Sequence, residues 1–120
     1  MPSFGITIPV RNRKAFTSAI LQQLTDQMAQ QVSIGALQPA DMQIIVVDDD
    51  SNDGTPELIE QRFPAVHLLR GDGDLWWTGA IAQAMTYAAD TLNTDYIIWL
   101  NDDITLADDF IAQVLQHCQQ

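Results

Sequence analysis

The feature that most constrains this chain is a regular alternation of short apolar runs with amphipathic segments. Four runs rich in β-branched and aromatic residues have the length of buried strands, and they cover residues 4–10, 43–48, 66–69 and 96–100. Each is followed by a stretch with apolar residues every three or four positions, the spacing of one helix face. This alternation predicts an α/β fold, with an open, mostly parallel sheet and helices on both faces.

The helix boundaries and buried faces follow from the same periodicity. Phe16 opens the apolar face of the first helix, and Met85 is expected to fill the core from the third. Thr55 is predicted to cap the second helix with its hydroxyl, because Pro56 suits the first helical position. The predicted helices cover residues 14–31, 55–63, 77–92 and a final segment that starts at Asp108.

Size and composition narrow the class of protein. The 120 residues suit one domain, and 47% of them are hydrophobic, which is enough for a sizeable core. A net charge of -11, with only five Lys and Arg, argues against nucleic-acid binding, since phosphate backbones require basic patches. Cys118 is the only cysteine, which excludes an internal disulfide and fits a reducing compartment. No apolar run approaches the ~20 residues of a transmembrane helix.

Two aspartate clusters stand directly after buried strands. They are Asp48–Asp50 and Asn101–Asp103, whereas the first strand ends in the segment Pro9–Arg11. Ligands of open parallel sheets bind beyond the carboxyl ends of the strands, so we expect all three segments to face one cleft. Neighbouring carboxylates repel each other unless a cation or hydrogen bonds compensate. The clusters therefore predict a site for a divalent metal together with a diphosphate.

Four motifs along the chain carry a family resemblance. They read ITIPVRNR at residues 6–13, IIVVDDDSNDGT at 44–55, GDGDLWWTGA at 71–80 and YIIWLNDDITL at 96–106. The first two resemble the first-strand signature and the VVDDGSxDGT motif of family 2 glycosyltransferases. The last resembles the strand that leads to their metal-binding DxD motif, and the third resembles a rhamnosyltransferase-like bacterial subgroup. The motifs occur in family order and span nearly the whole chain.

The resemblance implies a GT-A (Rossmann-like) nucleotide-binding half over residues 1–120, with a UDP- or dTDP-sugar as donor. Asp49 would accept a hydrogen bond from the base, and Asp103 would ligate Mn²⁺ or Mg²⁺. We also expect a tryptophan at the cleft to stack on base or sugar, and the turn at residues 71–74 to place an aspartate near the donor. The predicted donor-binding residues are Pro9, Val10, Arg11, Asp49, Asp74, Trp76 and Asp102.

Departures from the family pattern concern three positions. Asn101 replaces the first aspartate of DxD, and Asp50 stands where glycine is common, so the turn is expected to differ slightly. Asp48 and Asp50 are predicted to shape that turn. Ala82 stands where the helix after the tryptophan pair often has asparagine, so one donor contact of the family need not be made here.

The resemblance also implies inverting transfer, which needs a general base for the acceptor hydroxyl. In the family this base lies beyond the metal motif, so it is expected beyond Gln120, and the chain is expected to be a partial domain that is inactive alone. Exposed sheet edges would then favour a homodimer. The expected setting is bacterial polysaccharide biosynthesis in the cytoplasm, at the inner face of the membrane, with a glycan or lipid-linked acceptor.

Other interpretations of the aspartates stay open. A calcium-binding loop of the EF-hand type is one, since Asp49, Ser51, Asp53, Gly54 and Glu60 fall on its ligand and turn positions. A phosphatase of the haloacid dehalogenase type is another, because Asp48 and Asp50 have its DxD spacing. A non-catalytic module that binds a nucleotide is the third.

Overall fold

A computed structural model describes residues 2–118, and the predicted open α/β sheet with helices is confirmed. Four strands lie in the order β3-β2-β1-β4, and every neighbouring pair is parallel. In chain order the elements are β1 (Phe4–Val10), α1 (Lys14–Ser33), β2 (Met42–Asp48), α2 (Thr55–Arg62), β3 (His67–Arg70), α3 (Trp76–Thr86), β4 (Tyr96–Trp99) and α4 (Phe110–Cys118).

Helices cover both faces of the sheet. On one face α1 packs against α2 and α4, and their apolar residues join those of β1 and β2 in the main core. On the other face α3 contacts β1 and β2 through a smaller cluster that includes Ile45, Val47 and Ala84. Gly5 allows this second layer to approach closely, since a Cβ there would stand 3.2 Å from the Cβ of Ala88. The central strands are therefore buried on both faces, as their continuous apolar sequences predict.

The third helix ends earlier than its sequence predicts. Its α-helical part covers Trp76–Thr86, and a π-helical turn follows at Tyr87–Thr91. The hydroxyl of Tyr87 lies 3.0 Å from Nδ1 of His67, and Nε2 of His67 contacts Oε1 of Gln43. His67 is therefore a partnered structural histidine, as its position inside a strand predicts.

Two residues predicted for the core are exposed instead. Phe16 is 53% exposed, because the buried face of α1 runs through Thr17, Ile20 and Leu24, and Phe16 lies beside that face rather than on it. The Arg13 guanidinium lies over the Phe16 ring at 5.6 Å from its centroid. Met85 is 37% exposed, since α3 buries its alanines against the sheet and turns this side chain outward.

The second helix starts at Thr55 as predicted, but its predicted cap and the predicted start of the last helix are wrong. Thr55 does not cap α2: its hydroxyl and its backbone N–H both donate to Oδ1 of Asp53, so the aspartate is the acceptor. The last helix begins at Phe110 rather than Asp108, because residues 108 and 109 form a turn. Within residues 2–118, no helix has both the length and the apolar character that crossing a bilayer requires.

The packing of α1 generates a stability prediction. Ile20 is 1% exposed and Ile34, just past the end of the helix, is 69% exposed. Ile20→Ala should lower the free energy of unfolding by about 2–5 kcal/mol, through lost burial and a residual cavity. The matched change Ile34→Ala should alter it by no more than about 0.5 kcal/mol. Urea denaturation measures both, and equal effects would contradict the assigned core.

Candidate functional site

The carboxyl ends of three strands open into one cleft of about 440 Å³. Both acidic clusters contribute to it, which is the geometry that the sequence predicts. Asp74, expected near a donor, is exposed and does not line the cleft; its backbone N–H donates to Oδ1 of Asp72. The lining residues are Pro9, Val10, Arg11, Arg13, Asp49, Trp76, Trp77, Ala80, Asn101, Asp102 and Asp103.

Strand register explains why residues remote in sequence meet here. Asp48, the last residue of β2, pairs with Val10, the last residue of β1. Trp99, the last residue of β4, pairs with Thr7, and the next N–H along the chain donates to the carbonyl of Thr7 at 3.0 Å. The chain after β4 therefore runs beside the end of β1 and brings Asp102 level with the loop that follows it.

Asp49 organises the floor of the cleft. Its Oδ1 accepts hydrogen bonds from the backbone N–H groups of Gly73 at 2.8 Å and Leu75 at 3.3 Å, and its Oδ2 accepts one from Trp76 at 3.2 Å. The residue is only 4% exposed. A carboxylate offers about four lone-pair positions, so a nucleotide base would have to use the remaining one. The predicted contact with a base stays a prediction.

The loop that Asp49 holds is tightly constrained. A Cβ at Gly71 would lie 2.6 Å from Oδ1 of Asp49, so no larger residue fits there without a shift. Nη1 of Arg11 donates to the carbonyl of Gly73 at 3.0 Å. Trp76 has a φ of 57°, in the left-handed region that a bulky residue rarely adopts. These contacts leave the Trp76 indole 75% exposed at the rim of the cleft.

Asp48 and Asp50 shape the turn between β2 and α2. Oδ1 of Asp48 accepts a hydrogen bond from the backbone N–H of Ser51 at 2.7 Å. Asp50 has a φ of 62°, the conformation that glycine favours and that aspartate tolerates. The aspartate thus adopts the left-handed conformation that a glycine at this position would provide. Because Asp48 is wholly buried, it cannot act as the accessible nucleophile that the phosphatase interpretation requires.

The calcium-loop interpretation is wrong. The carboxylate of Asp49 already accepts hydrogen bonds from backbone N–H groups of residues 73–76. Asp53 accepts hydrogen bonds from Thr55 and from the N–H of Lys14. A strand precedes the loop, whereas an EF-hand needs a helix there. Among residues 2–118 no group of three or more His, Cys, Asp or Glu side chains is placed to share a metal ion.

Asp102 and Asp103 face the cleft beside a single cation. Nη1 of Arg13 lies 3.7 Å from Oδ1 of Asp102 and 3.6 Å from Oδ2 of Asp103. Asp102 is 7% exposed, and burial raises the pKa of its carboxyl, although the nearby Arg13 lowers it in part. Oδ2 of Asp102 is buried without a hydrogen-bond partner. Charged oxygens of this kind suit Mg²⁺ or Mn²⁺, which proteins commonly hold with one or two carboxylates plus phosphate oxygens.

Several cleft residues were not assigned a role from the sequence. Nε1 of Trp77 donates to Oδ1 of Asn101 at 3.2 Å, so the residue that replaces the first aspartate of DxD holds an indole. The Trp77 ring meets the Trp99 ring edge-on, with centroids 6.1 Å apart. Arg13 follows Arg11 and precedes Lys14 in the sequence, and nothing in that order reveals that it faces two carboxylates.

The three hydrogen bonds to Asp49 predict a local effect of substitution. Asp49→Asn replaces one acceptor oxygen by an NH₂ group that cannot accept, and it removes the charge that strengthens all three bonds. Amide hydrogen exchange at Gly73, Leu75 and Trp76 should accelerate about tenfold or more, since a hydrogen bond to a charged group contributes about 1.5–3 kcal/mol. Asp50→Asn is the control, and unchanged exchange in both variants would contradict this role.

Burial of Asp48 predicts a pH dependence of stability. Desolvation raises the pKa of this carboxyl above its ordinary 3.8. The hydrogen bond from Ser51 lowers the pKa, but by less than desolvation raises it. The folded state then binds the proton more tightly than the unfolded chain does, so the stabilisation is full below pH 3.8 and is lost as pH rises through the folded pKa.

In Asp48→Asn this contribution disappears. Its Oδ1 can still accept from Ser51, so the variant should be at least as stable as the wild type at pH 7. Its free energy of unfolding should also change less between pH 4 and 7. Urea denaturation across that range measures the difference, and a variant that loses stability mainly at neutral pH would contradict the assignment.

Comparison with known proteins connects this cleft to a family. The sequence model of Glycosyl transferase family 2 matches residues 6–120. A search of curated protein sequences gave no match. Solved structures are similar in fold: the mannosyltransferase PcManGT from Pyrobaculum calidifontis, in complex with GDP-Man and Mn²⁺, superposes with a TM-score of 0.78 at 18% identity, over 99% of this chain and 33% of that one.

Two further structures extend the likeness. S. aureus TarS has a TM-score of 0.69 at 16% identity, over 95% of this chain and 31% of that one. Glucosyl-3-phosphoglycerate synthase from Mycobacterium tuberculosis, in complex with Mn²⁺ and UDP, has a TM-score of 0.60 at 13% identity. The match covers 96% of this chain and 39% of the synthase. The chain thus spans about a third of the length of these proteins. Because the family model matches nearly all of its residues, the chain belongs to glycosyl transferase family 2.

Proposed function

We propose that this chain forms the donor-binding half of a metal-dependent, inverting glycosyltransferase. The observation that carries the proposal is the shared cleft, which is lined both by Asp49 and by Asp102 and Asp103. A nucleoside diphosphate has a base and a charged diphosphate, and such a cleft offers polar groups to each. The donor is a UDP- or dTDP-sugar, and the cation is Mn²⁺ or Mg²⁺.

Proteins of similar fold support this proposal. The mannosyltransferase from Pyrobaculum calidifontis was solved with GDP-Man and Mn²⁺, and TarS was solved with UDP-GlcNAc. The synthase from Mycobacterium tuberculosis holds UDP and Mn²⁺. All three thus bind a nucleoside diphosphate or its sugar, with different bases, which is why a test on this chain must compare uridine, thymidine and guanosine diphosphates.

On the donor side, each lining residue has a proposed task. The end of β1 and the residue after it, Pro9–Arg11, would lie along the nucleotide, and the free lone pair of Asp49 would meet the base. Arg11 is already fixed to the carbonyl of Gly73, so it holds the loop as well as facing the donor. The exposed indole of Trp76 offers a flat apolar surface on which a base or sugar stacks. Asp74 would reach a donor only if its loop moved, since it lies outside the lining.

The metal would be held by Asp103, whose side chain is 49% exposed and therefore accessible to an incoming ion. Asp102 is nearly buried and has an unpartnered oxygen, so it is suited to the ribose or the donor sugar, or to a second bond to the ion. When bound, the cation neutralises the charge that develops on the departing diphosphate. Trp77 and Asn101 fix one wall of the cleft through their hydrogen bond.

The acceptor side is less defined by these residues. We assign no general base among residues 2–118 and propose that other residues supply it, so this chain would bind donor and metal without transferring sugar. The acceptor would be a glycan or a lipid-linked molecule at the cytoplasmic face of the membrane, in polysaccharide biosynthesis. The GDGDLWWTGA segment supports a rhamnosyl donor. The free edge of β4 would be the surface for a homodimer.

Calorimetry tests the proposal directly. UDP, dTDP and GDP are titrated with and without Mn²⁺, and Mn²⁺ should raise the affinity for the preferred diphosphate about tenfold or more, because an ion held by Asp103 would attract the phosphates. Asp103→Ala should abolish that increase. Asp108→Ala removes an equal charge from an exposed turn outside the cleft, so it should not.

Three outcomes would count differently. Nucleotide binding that ignores both Mn²⁺ and Asp103→Ala would favour a non-catalytic nucleotide-binding module. If Asp103→Ala and Asp108→Ala reduced the Mn²⁺-dependent increase in affinity equally, the increase would depend on the net charge of the protein and not on a metal site at Asp103. No binding of any nucleoside diphosphate would overturn the proposal.

A further inference from the structure

The strongest unassigned feature of the cleft is the position of Arg13. Its guanidinium bridges the carboxylates of Asp102 and Asp103, at 3.7 Å and 3.6 Å. Within residues 2–118 these are the only ion pairs formed by lysine or arginine side chains. A cation is therefore already present beside the two carboxylates at which the proposed function binds a divalent ion.

The backbone of Arg13 is held by hydrogen bonds, whereas its side chain is half exposed and makes few contacts. The preceding residue, Asn12, is held by hydrogen bonds to the β2–α2 turn: its N–H donates to Oγ of Ser51, and its side-chain oxygen accepts from the N–H of Asn52, both at 2.8 Å. The carbonyl of Arg13 accepts the first hydrogen bond of α1. The guanidinium itself is tied only by the two carboxylates and by the Phe16 ring, and the side chain is 47% exposed.

The charges beside Asp103 decide what can bind there. The two carboxylates and the guanidinium together carry a net charge of -1. This charge attracts a free divalent ion less strongly than two unpaired carboxylates would. A diphosphate changes this balance, because it brings further negative charge that can accept the guanidinium in place of the carboxylates. Arginine pairs well with phosphate through its planar fork of donors.

We propose that Arg13 is a built-in counter-cation that holds Asp102 and Asp103 until metal and diphosphate arrive together, and that then moves to the diphosphate. The inference rests on the proposed function, since it assumes a metal at these carboxylates. Arg13 is a positioning residue in this scheme. It lowers the affinity for the ion alone and makes binding of the ion and of the nucleotide mutually dependent.

The test measures binding of Mn²⁺ alone, by calorimetry or by the loss of the free-ion signal in electron paramagnetic resonance. Arg13→Gln should bind Mn²⁺ about tenfold more tightly than the wild type, because a like charge a few ångströms from the ion has been removed. The Mn²⁺-dependent gain in UDP or dTDP affinity should shrink in the same variant. Arg13→Lys, which keeps the charge, should stay close to the wild type.

Lys14→Gln is the matched control. It removes the same charge one residue further along the chain, but Lys14 lines the pocket beside Gly54 rather than the cleft. Its affinity for Mn²⁺ should change by less than about twofold, since exposed charges further apart are screened by solvent and salt. If Lys14→Gln gained as much affinity for Mn²⁺ as Arg13→Gln, the effect would come from net charge and the inference would be overturned.

The remaining outcomes separate this inference from the proposed function. If Asp103→Ala loses Mn²⁺ binding while Arg13→Gln binds the ion no better than the wild type, the counter-cation role is wrong and the metal site stands. If Asp103→Ala binds Mn²⁺ as the wild type does, with and without nucleotide, the metal site itself is wrong and Arg13 has no such role. Nuclear magnetic resonance of the Arg13 side chain gives an independent readout, since adding Mg²⁺ with diphosphate should shift its signals in the wild type.

Discussion

The bond between Asp49 and the backbone of residues 73–76 is the interaction on which the site depends. It joins the residue that follows β2 to the start of α3, two segments that both contribute residues to the cleft. Because the carboxylate is almost fully buried, water cannot replace it as the acceptor. Without it, the left-handed backbone at Trp76 would lose the contacts that offset its strain, and the exposed indole would lose its fixed position.

The parallel sheet could be predicted because its signals are local and strong. The run at Gln43–Asp48 is apolar on both faces, and only a central parallel strand explains that pattern in a short segment. Helix surfaces were harder to predict, because periodicity gives the apolar stripe but not where its border lies against the core. Thr17 in the first turn of α1 is fully buried, whereas its neighbour Phe16 lies beside the buried face, and the guanidinium of Arg13 packs over its ring.

The position of the site could be predicted from the sequence, but the hydrogen bonds within it could not. Strand ends predict that Asp49 and Asp103 meet at one edge, since parallel strands share a direction. No pattern in the sequence reveals that three N–H groups more than twenty residues away converge on Asp49. The same holds for the hydrogen bond from Trp77 to Asn101, because the two residues are 24 positions apart and tertiary contacts bring them together.

Two of the three buried aspartates, Asp48 and Asp102, differ in how their charge is compensated. Asp48 lies within the turn that it shapes, closed off from the cleft, and one of its oxygens accepts from Ser51. Asp102 is nearly as buried, yet it lines the cleft and depends on one partly exposed arginine for its charge. A buried carboxylate with so little compensation is unfavourable in an empty protein. Under the proposed function, a cation and a diphosphate that entered the cleft together would supply the compensation that Asp102 lacks in the folded chain.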